Sequence, residues 1–176
     1  MNAIVCTDEN WGIGKDNDLL ISIPDDMKFF VEKTKGNIIV YGRKTLFSFK
    51  NKSPLKNRLN IVFSKDNTLV NEYNDYDNLI FVKNKDELIN ILSNLDKKYR
   101  DYSDKEVFVC GGESIYRLLV NNCKKIYVTK VYKEFDADTF FPNLDEDSKF
   151  KIKNKSEIYE YNGIKYQFLE YVNEEI

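Results

Sequence analysis

An apolar run, Val107 to Cys110, meets two glycines, Gly111 and Gly112, and passes directly into the helical pattern Glu113-Ser114-Ile115-Tyr116-Arg117-Leu118-Leu119. Glycine lacks a Cβ, so such a pair permits backbone dihedrals closed to other residues and lets a ligand approach the main chain at a helix start. The stretch reads either as a tight strand-to-helix turn or as a phosphate cradle. A second apolar run, Ile38 to Tyr41, ends in Gly42-Arg43-Lys44-Thr45, which sets a glycine, two cations and a hydroxyl at a similar handover. Two such turns in one small domain point to a bound polyphosphate. Elsewhere short apolar runs alternate with helical patterns, which predicts an α/β domain with a mainly parallel central sheet.

Strands are expected near Ala3–Thr7, Asn37–Tyr41, Asn60–Phe63, Leu79–Val82, Val107–Cys110 and Lys125–Val131. Met27, Phe30, Val31 and Thr34 have helical spacing, and Asn84 with Glu87 forms an N-cap signal before Leu88, Leu92 and Leu95. Alternation over Ile152–Tyr159 and Ile164–Val172 around Asn162-Gly163 predicts a C-terminal antiparallel hairpin. The polar, glycine-bearing stretch Gly12–Ile23 has no period of its own and is a candidate mobile loop over a site. With 176 residues and no linker or repeat, one domain over 1–176 is expected.

The charge is balanced, 27 basic against 29 acidic residues, and the lysine-rich stretches read as a solvated surface, so no nucleic-acid partner is expected. Three widely spaced cysteines and no histidine argue against a metal site or a cysteine–histidine nucleophile. Cys6 and Cys110 lie in apolar runs and read as small core residues. The first residues carry neither a signal-peptide core nor a membrane span, so a cytoplasmic protein without a membrane partner is expected.

Pro24-Asp25-Asp26-Met27 opens the first helix, and carboxylates in a first turn suit the helix dipole whatever else they do. The two are not equivalent. Asp26 lies only about 40° around the helix from Phe30, at the edge of the apolar stripe, whereas Asp25 points away. A carboxyl leaning among apolar neighbours has a raised pKa and can hold a planar pair of donors or take part in proton transfer.

These residues, with Trp11-Gly12-Ile13-Gly14-Lys15-Asp16-Asn17-Asp18-Leu19, Pro54-Leu55-Lys56-Asn57-Arg58, Tyr127-Val128-Thr129 and Ala137-Asp138-Thr139-Phe140-Phe141-Pro142, resemble dihydrofolate reductases in order and spacing over nearly the whole chain. The resemblance implies that family's fold and hydride transfer from NADPH to dihydrofolate, with antifolate-type molecules as further ligands and a monomer as the working unit. It implies that Asp26 holds the pterin, with Thr129 bonded to the carboxyl. Met27, Phe30, Phe49 and Leu55 would form apolar walls beside Val5, Cys6, Cys110 and Tyr116, and Arg58 would grip the glutamate α-carboxylate. Arg43, Ser64 and Lys65 would meet the adenosine 2′-phosphate, and Lys44 and Thr45 the pyrophosphate. Gly111, Gly112, Ser114, Ile115 and Tyr116 would line the pyrophosphate and nicotinamide, with Ile13, Gly14, Leu19 and Gly42 completing the cofactor set.

One departure from the family pattern stands out. Leu20-Ile21 occupies the place of the usual Pro-Trp before the helix of the acid, removing an indole that would roof the site and donate a hydrogen bond. A reductase acting on a ribosylaminopyrimidine in flavin synthesis, or a catalytically weak folate- or NADPH-binding protein, are the alternative readings.

Overall fold

The structure is a computed structural model that describes residues 1–95 and 97–176. In chain order the strands are β1 (Asn2–Thr7), β2 (Gly12–Lys15), β3 (Asp18–Leu19), β4 (Ile38–Gly42), β5 (Leu59–Phe63), β6 (Leu79–Val82), β7 (Val107–Val109), β8 (Lys125–Val131), β9 (Thr139–Phe140), β10 (Phe150–Tyr161) and β11 (Ile164–Asn173). The helices are α1 (Pro24–Thr34), α2 (Arg43–Ser48), α3 (Thr68–Glu72), α4 (Lys85–Ser93) and α5 (Glu113–Leu119).

Eight strands form one sheet in the order β10-β11-β8-β1-β7-β4-β5-β6. The six from β8 to β6 are parallel, and β11 returns antiparallel on β8 with β10 outside it. This is the expected parallel sheet with an antiparallel terminal hairpin. Asn162 and Gly163 both take positive φ, 50° and 76°, as the hairpin turn requires.

The central strands read as unbroken apolar runs because both their faces are covered. Along β4, Ile38 and Val40 pack with Ile61, Val109, Ile115 and Leu119 on one side, while Ile39 and Tyr41 pack with Val62, Leu46 and Phe108 on the other. Each such fully buried aliphatic side chain contributes about 1.5–3 kcal/mol. The sequence-predicted cap of α4 is present: Asn84 accepts from the Glu87 amide at 2.9 Å, and the Glu87 carboxylate accepts from the Lys83 amide at 2.7 Å.

Two expectations are corrected. Gly12–Ile23 is not free of regular structure, since β2 pairs with β3 and with β9 in a small separate sheet. Those strands are too short, at four and two residues, to show alternation. The α1 stripe is also displaced. Met27 and Val31 are exposed, and the inward face is Ile23, Asp26, Phe29, Phe30 and Thr34. Phe29 packs on Tyr127 and Phe168, which rotates the helix away from the 27/31 edge.

Among the described residues no helix is long and apolar enough to cross a membrane, and no cluster of metal-ligating side chains is present.

Candidate functional site

The chain reverses its direction of strand addition around β7, which inserts between β1 and β4 after β6 has been laid down at the edge. In doubly wound sheets ligands bind in the crevice at the carboxyl ends of the strands beside such a reversal. Gly111 and Gly112 follow β7 at that end, Gly42 to Thr45 follow β4, and Ser64 and Lys65 follow β5. Cys6 and Thr129 lie near the same ends of β1 and β8, paired in register. The topology therefore gathers, along one row of strand ends, residues up to 123 positions apart in the chain.

Asp26 stands at one end of this row. Pro24 starts α1, and Ile23, 1 % exposed, anchors the entry by packing with Val131 and Tyr166. Three residues on, Asp26 shares the inward face and is half-buried. Burial pushes its carboxyl above the ordinary range, partly offset by a hydrogen bond from the buried Thr129 hydroxyl. Asp25 turns outward, where its Oδ2 accepts from the Tyr166 hydroxyl at 2.8 Å and Lys28 lies 3.7 Å from its Oδ1. The helical geometry thus separates the two acids as expected. Cys6 and Cys110 are half-buried rather than core, and desolvation raises both thiols, so they face the crevice as neutral groups. The Val5 side chain packs in the core on the opposite face of β1, leaving its backbone as its contribution to the crevice.

Arg58 is the unusual cation. It is 7 % exposed, donates from Nε to Thr34 Oγ1 at 2.8 Å and from Nη1 to the Lys56 carbonyl at 2.7 Å, and lies over the Phe30 ring. Among the described residues no carboxylate pairs with it. Burying a guanidinium without a counter-anion is unfavourable, so the position suits an anion supplied from outside the chain. Phe49 and Leu55 pack in the apolar cluster that includes Phe30 on this side.

The glycine turns lie side by side, with the Gly42 amide donating to the Gly111 carbonyl at 2.8 Å. Neither α2 nor α5 has a side-chain N-cap, so their first amides remain available to a ligand. A Cβ on Gly112 would meet only Thr45 Oγ1, at 3.7 Å, leaving open room at the helix start. Gly111 is fixed by different means: its φ is +110°, and a Cβ there would lie 3.0 Å from the ring of Tyr116. That ring is buried, with its hydroxyl donating to the Ile4 carbonyl at 2.7 Å. Gly111→Ala is therefore expected to lose roughly 1–3 kcal/mol from backbone conformation and more from crowding. Gly163→Ala, at φ +76° with open space, is its control. Equal losses in denaturant melts would show that Tyr116 does not crowd the turn.

The remaining expected positions are spread along the rim. Arg43, Lys44, Lys65 and Ser114 are exposed, Ile13, Thr45 and Ser64 are half-buried, Ile115 is core, and Leu19 is 57 % exposed on β3. Ile21 packs with Cys6, Ile23, Val131 and Phe135, so apolar contacts replace the indole donor of the family pattern. Trp11 is buried against Phe141 and Tyr171 with Lys130 Nζ 4.0 Å above its ring, and does not take that place.

Sequence reasoning missed four partners. Thr34 orients Arg58, Tyr166 holds Asp25, Asp66 pairs with Arg43, and Asp8, 2 % exposed, accepts from the amides of Asn10, Gly12 and Phe135 to fix the turn into β2. It also missed a charge run legible in the chain: residues 33–65 carry nine lysines and arginines and no acid, so this segment is strongly positive although the net charge is −2. Such a local field favours anionic ligands.

An anion cradle and a half-buried carboxyl along one crevice of a doubly wound sheet fit an oxidoreductase working with a bound nucleotide. Comparison with known proteins agrees. Residues 1–173 match the family model described as dihydrofolate reductase. The chain is 34 % identical to the dihydrofolate reductase of Sus scrofa, over 96 % of this chain and 95 % of that one. It is 32 % identical to those of Drosophila melanogaster (95 % and 94 %) and Bacillus subtilis (97 % and 93 %). The chain belongs to the dihydrofolate reductase family and is an oxidoreductase.

Proposed function

We propose that this chain reduces 7,8-dihydrofolate to 5,6,7,8-tetrahydrofolate with NADPH in one crevice of a single domain over 1–176, with the pterin on Asp26 and the glutamate tail on Arg58. The reading is supported by a half-buried carboxyl on the inward face of α1 and a buried arginine with no acid of its own among the described residues, packed over Phe30 of the same helix. The first suits two parallel ring donors, the second a carboxylate. The glycine turns fit a pyrophosphate, because the Gly112 position is open and the two short helices present uncapped amides.

When bound, the nicotinamide cofactor supplies the hydride. The chain must align the substrate, exclude water and favour a proton on the substrate's imine nitrogen, the two together balancing the reduction of one C=N bond. Asp26 pairs with the far end of the pterin, so its part is to orient the ring and favour the protonated form, water delivering the proton. Thr129 holds the carboxyl in place. Phe30, Phe49 and Leu55 form the apolar walls, the exposed Met27 stands at their rim, and β2 and β3 border the nicotinamide side. No specific observation favours the pyrimidine reductase of flavin synthesis or a merely binding protein. A cytoplasmic monomer is the working unit that the family's pattern implies.

Arg43 is assigned to the 2′-phosphate. An arginine–phosphate pair is a charge-assisted contact that the hydroxyl of NADH does not provide. Arg43→Ala is expected to lower the NADPH/NADH ratio of kcat/KM by about tenfold or more. An unchanged ratio would remove Arg43 from phosphate recognition.

A further inference from the structure

Arg43 does not stand alone at the end of β4. Its Nη1 lies 3.3 Å from Asp66 Oδ2, across from the end of β5. Asp66 is itself held: its Oδ1 accepts from the Thr68 amide at 3.0 Å and the Thr68 hydroxyl at 2.7 Å, and its own amide donates to Ser64 Oγ at 3.1 Å. The Thr68 bonds, with Arg43, keep the carboxyl below its ordinary range, so it is ionised at neutral pH. The two residues assigned to the phosphate, Arg43 and Ser64, thus both bond to Asp66, Arg43 to its carboxylate and Ser64 to its main-chain amide.

A fixed carboxylate beside an arginine acts in opposite senses on the two cofactors. It repels a phosphate at the adenosine 2′ position, and it accepts a hydrogen bond from a 2′-hydroxyl there. We propose that Asp66 is a second determinant of cofactor choice, opposing Arg43 and narrowing the preference for the 2′-phosphorylated nucleotide. This rests on the reading that Arg43 meets the 2′-phosphate. The rival role, in which Asp66 merely orients Arg43, gives the opposite sign, since freeing the arginine would then weaken phosphate binding.

The test is equilibrium titration of the full-length protein with NADPH and with NADH, in wild type, Asp66→Asn and Arg43→Ala, with 2′-phosphorylated adenosine 5′-phosphate against AMP as hydride-free probes. Asparagine keeps an oxygen for the Thr68 bonds, and a thermal melt checks that the turn survives. Asp66→Asn is expected to raise the NADPH/NADH affinity ratio about tenfold at low salt, the gain shrinking as salt is added. Arg43→Ala should lower the same ratio. If Arg43→Ala lowers it while Asp66→Asn leaves it unchanged or lowers it too, Asp66 is not a counterweight and the proposal falls alone. If Arg43→Ala leaves it unchanged, the phosphate does not sit at Arg43, and both readings fall.

Discussion

Asp26→Asn is expected to fold normally and to lose tens- to hundreds-fold in turnover at neutral pH. The amide offers one acceptor to two ring donors and carries no charge to favour a protonated substrate, a loss of about 2–4 kcal/mol. Asp25→Asn is the control, because Asp25 faces away and bonds to Tyr166. Stability should move the other way. Burial raises the folded pKa of Asp26, so its contribution to stability is full below the unfolded value and is lost as pH rises through the folded value. Asparagine has no such term, and the variant should be as stable as wild type or more so at neutral pH, the difference fading in acid. Normal turnover, or marked destabilisation at neutral pH, would remove Asp26 from the role given to it.

Arg58→Met should raise KM for dihydrofolate by roughly thirty- to a thousandfold with a far smaller change in kcat, the effect of losing about 2–4 kcal/mol of charged hydrogen bonds to the substrate tail. A dihydropteridine substrate without the glutamate should be used equally well by both proteins. Because Arg58 is buried without an acidic partner, an apolar replacement relieves a desolvated charge, and melting should change little despite the lost Thr34 and Lys56 bonds. Arg58→Lys keeps the charge but not the fork, and should fall between. A proportional loss with both substrates would mean that Arg58 supports the fold and not the tail.

Residues whose chemistry is local and distinctive were legible in the chain. The glycine turns, the inward acid of the first helix, Thr129 and Arg58 stand in short motifs, and the carboxyl ends of the strands bring the glycine turns and Thr129 to one row. What positions them was hidden, because it depends on pairs far apart in sequence: Tyr166 reaches Asp25 across 141 residues, and Phe135 reaches Asp8 across 127. The displaced stripe of α1 has the same origin, since helical spacing cannot say that Phe29 will find Tyr127 and Phe168. Asp66 was missed for another reason. A lone acid after a strand reads as a turn residue until the neighbouring strand end shows an arginine 3.3 Å away.

The central claim is that the Asp26 carboxyl controls the proton demanded by the reduction. Its most direct test is the pH dependence of single-turnover hydride transfer, with both ligands saturating, in wild type and Asp26→Asn. The competent state carries a proton shared between carboxyl and substrate, so the wild-type rate constant should fall as pH rises, with an apparent pKa above the ordinary carboxylate range that belongs to the pair. Asp26→Asn should be slower and should lose that inflection. The same inflection at the same pH in both proteins would contradict the account.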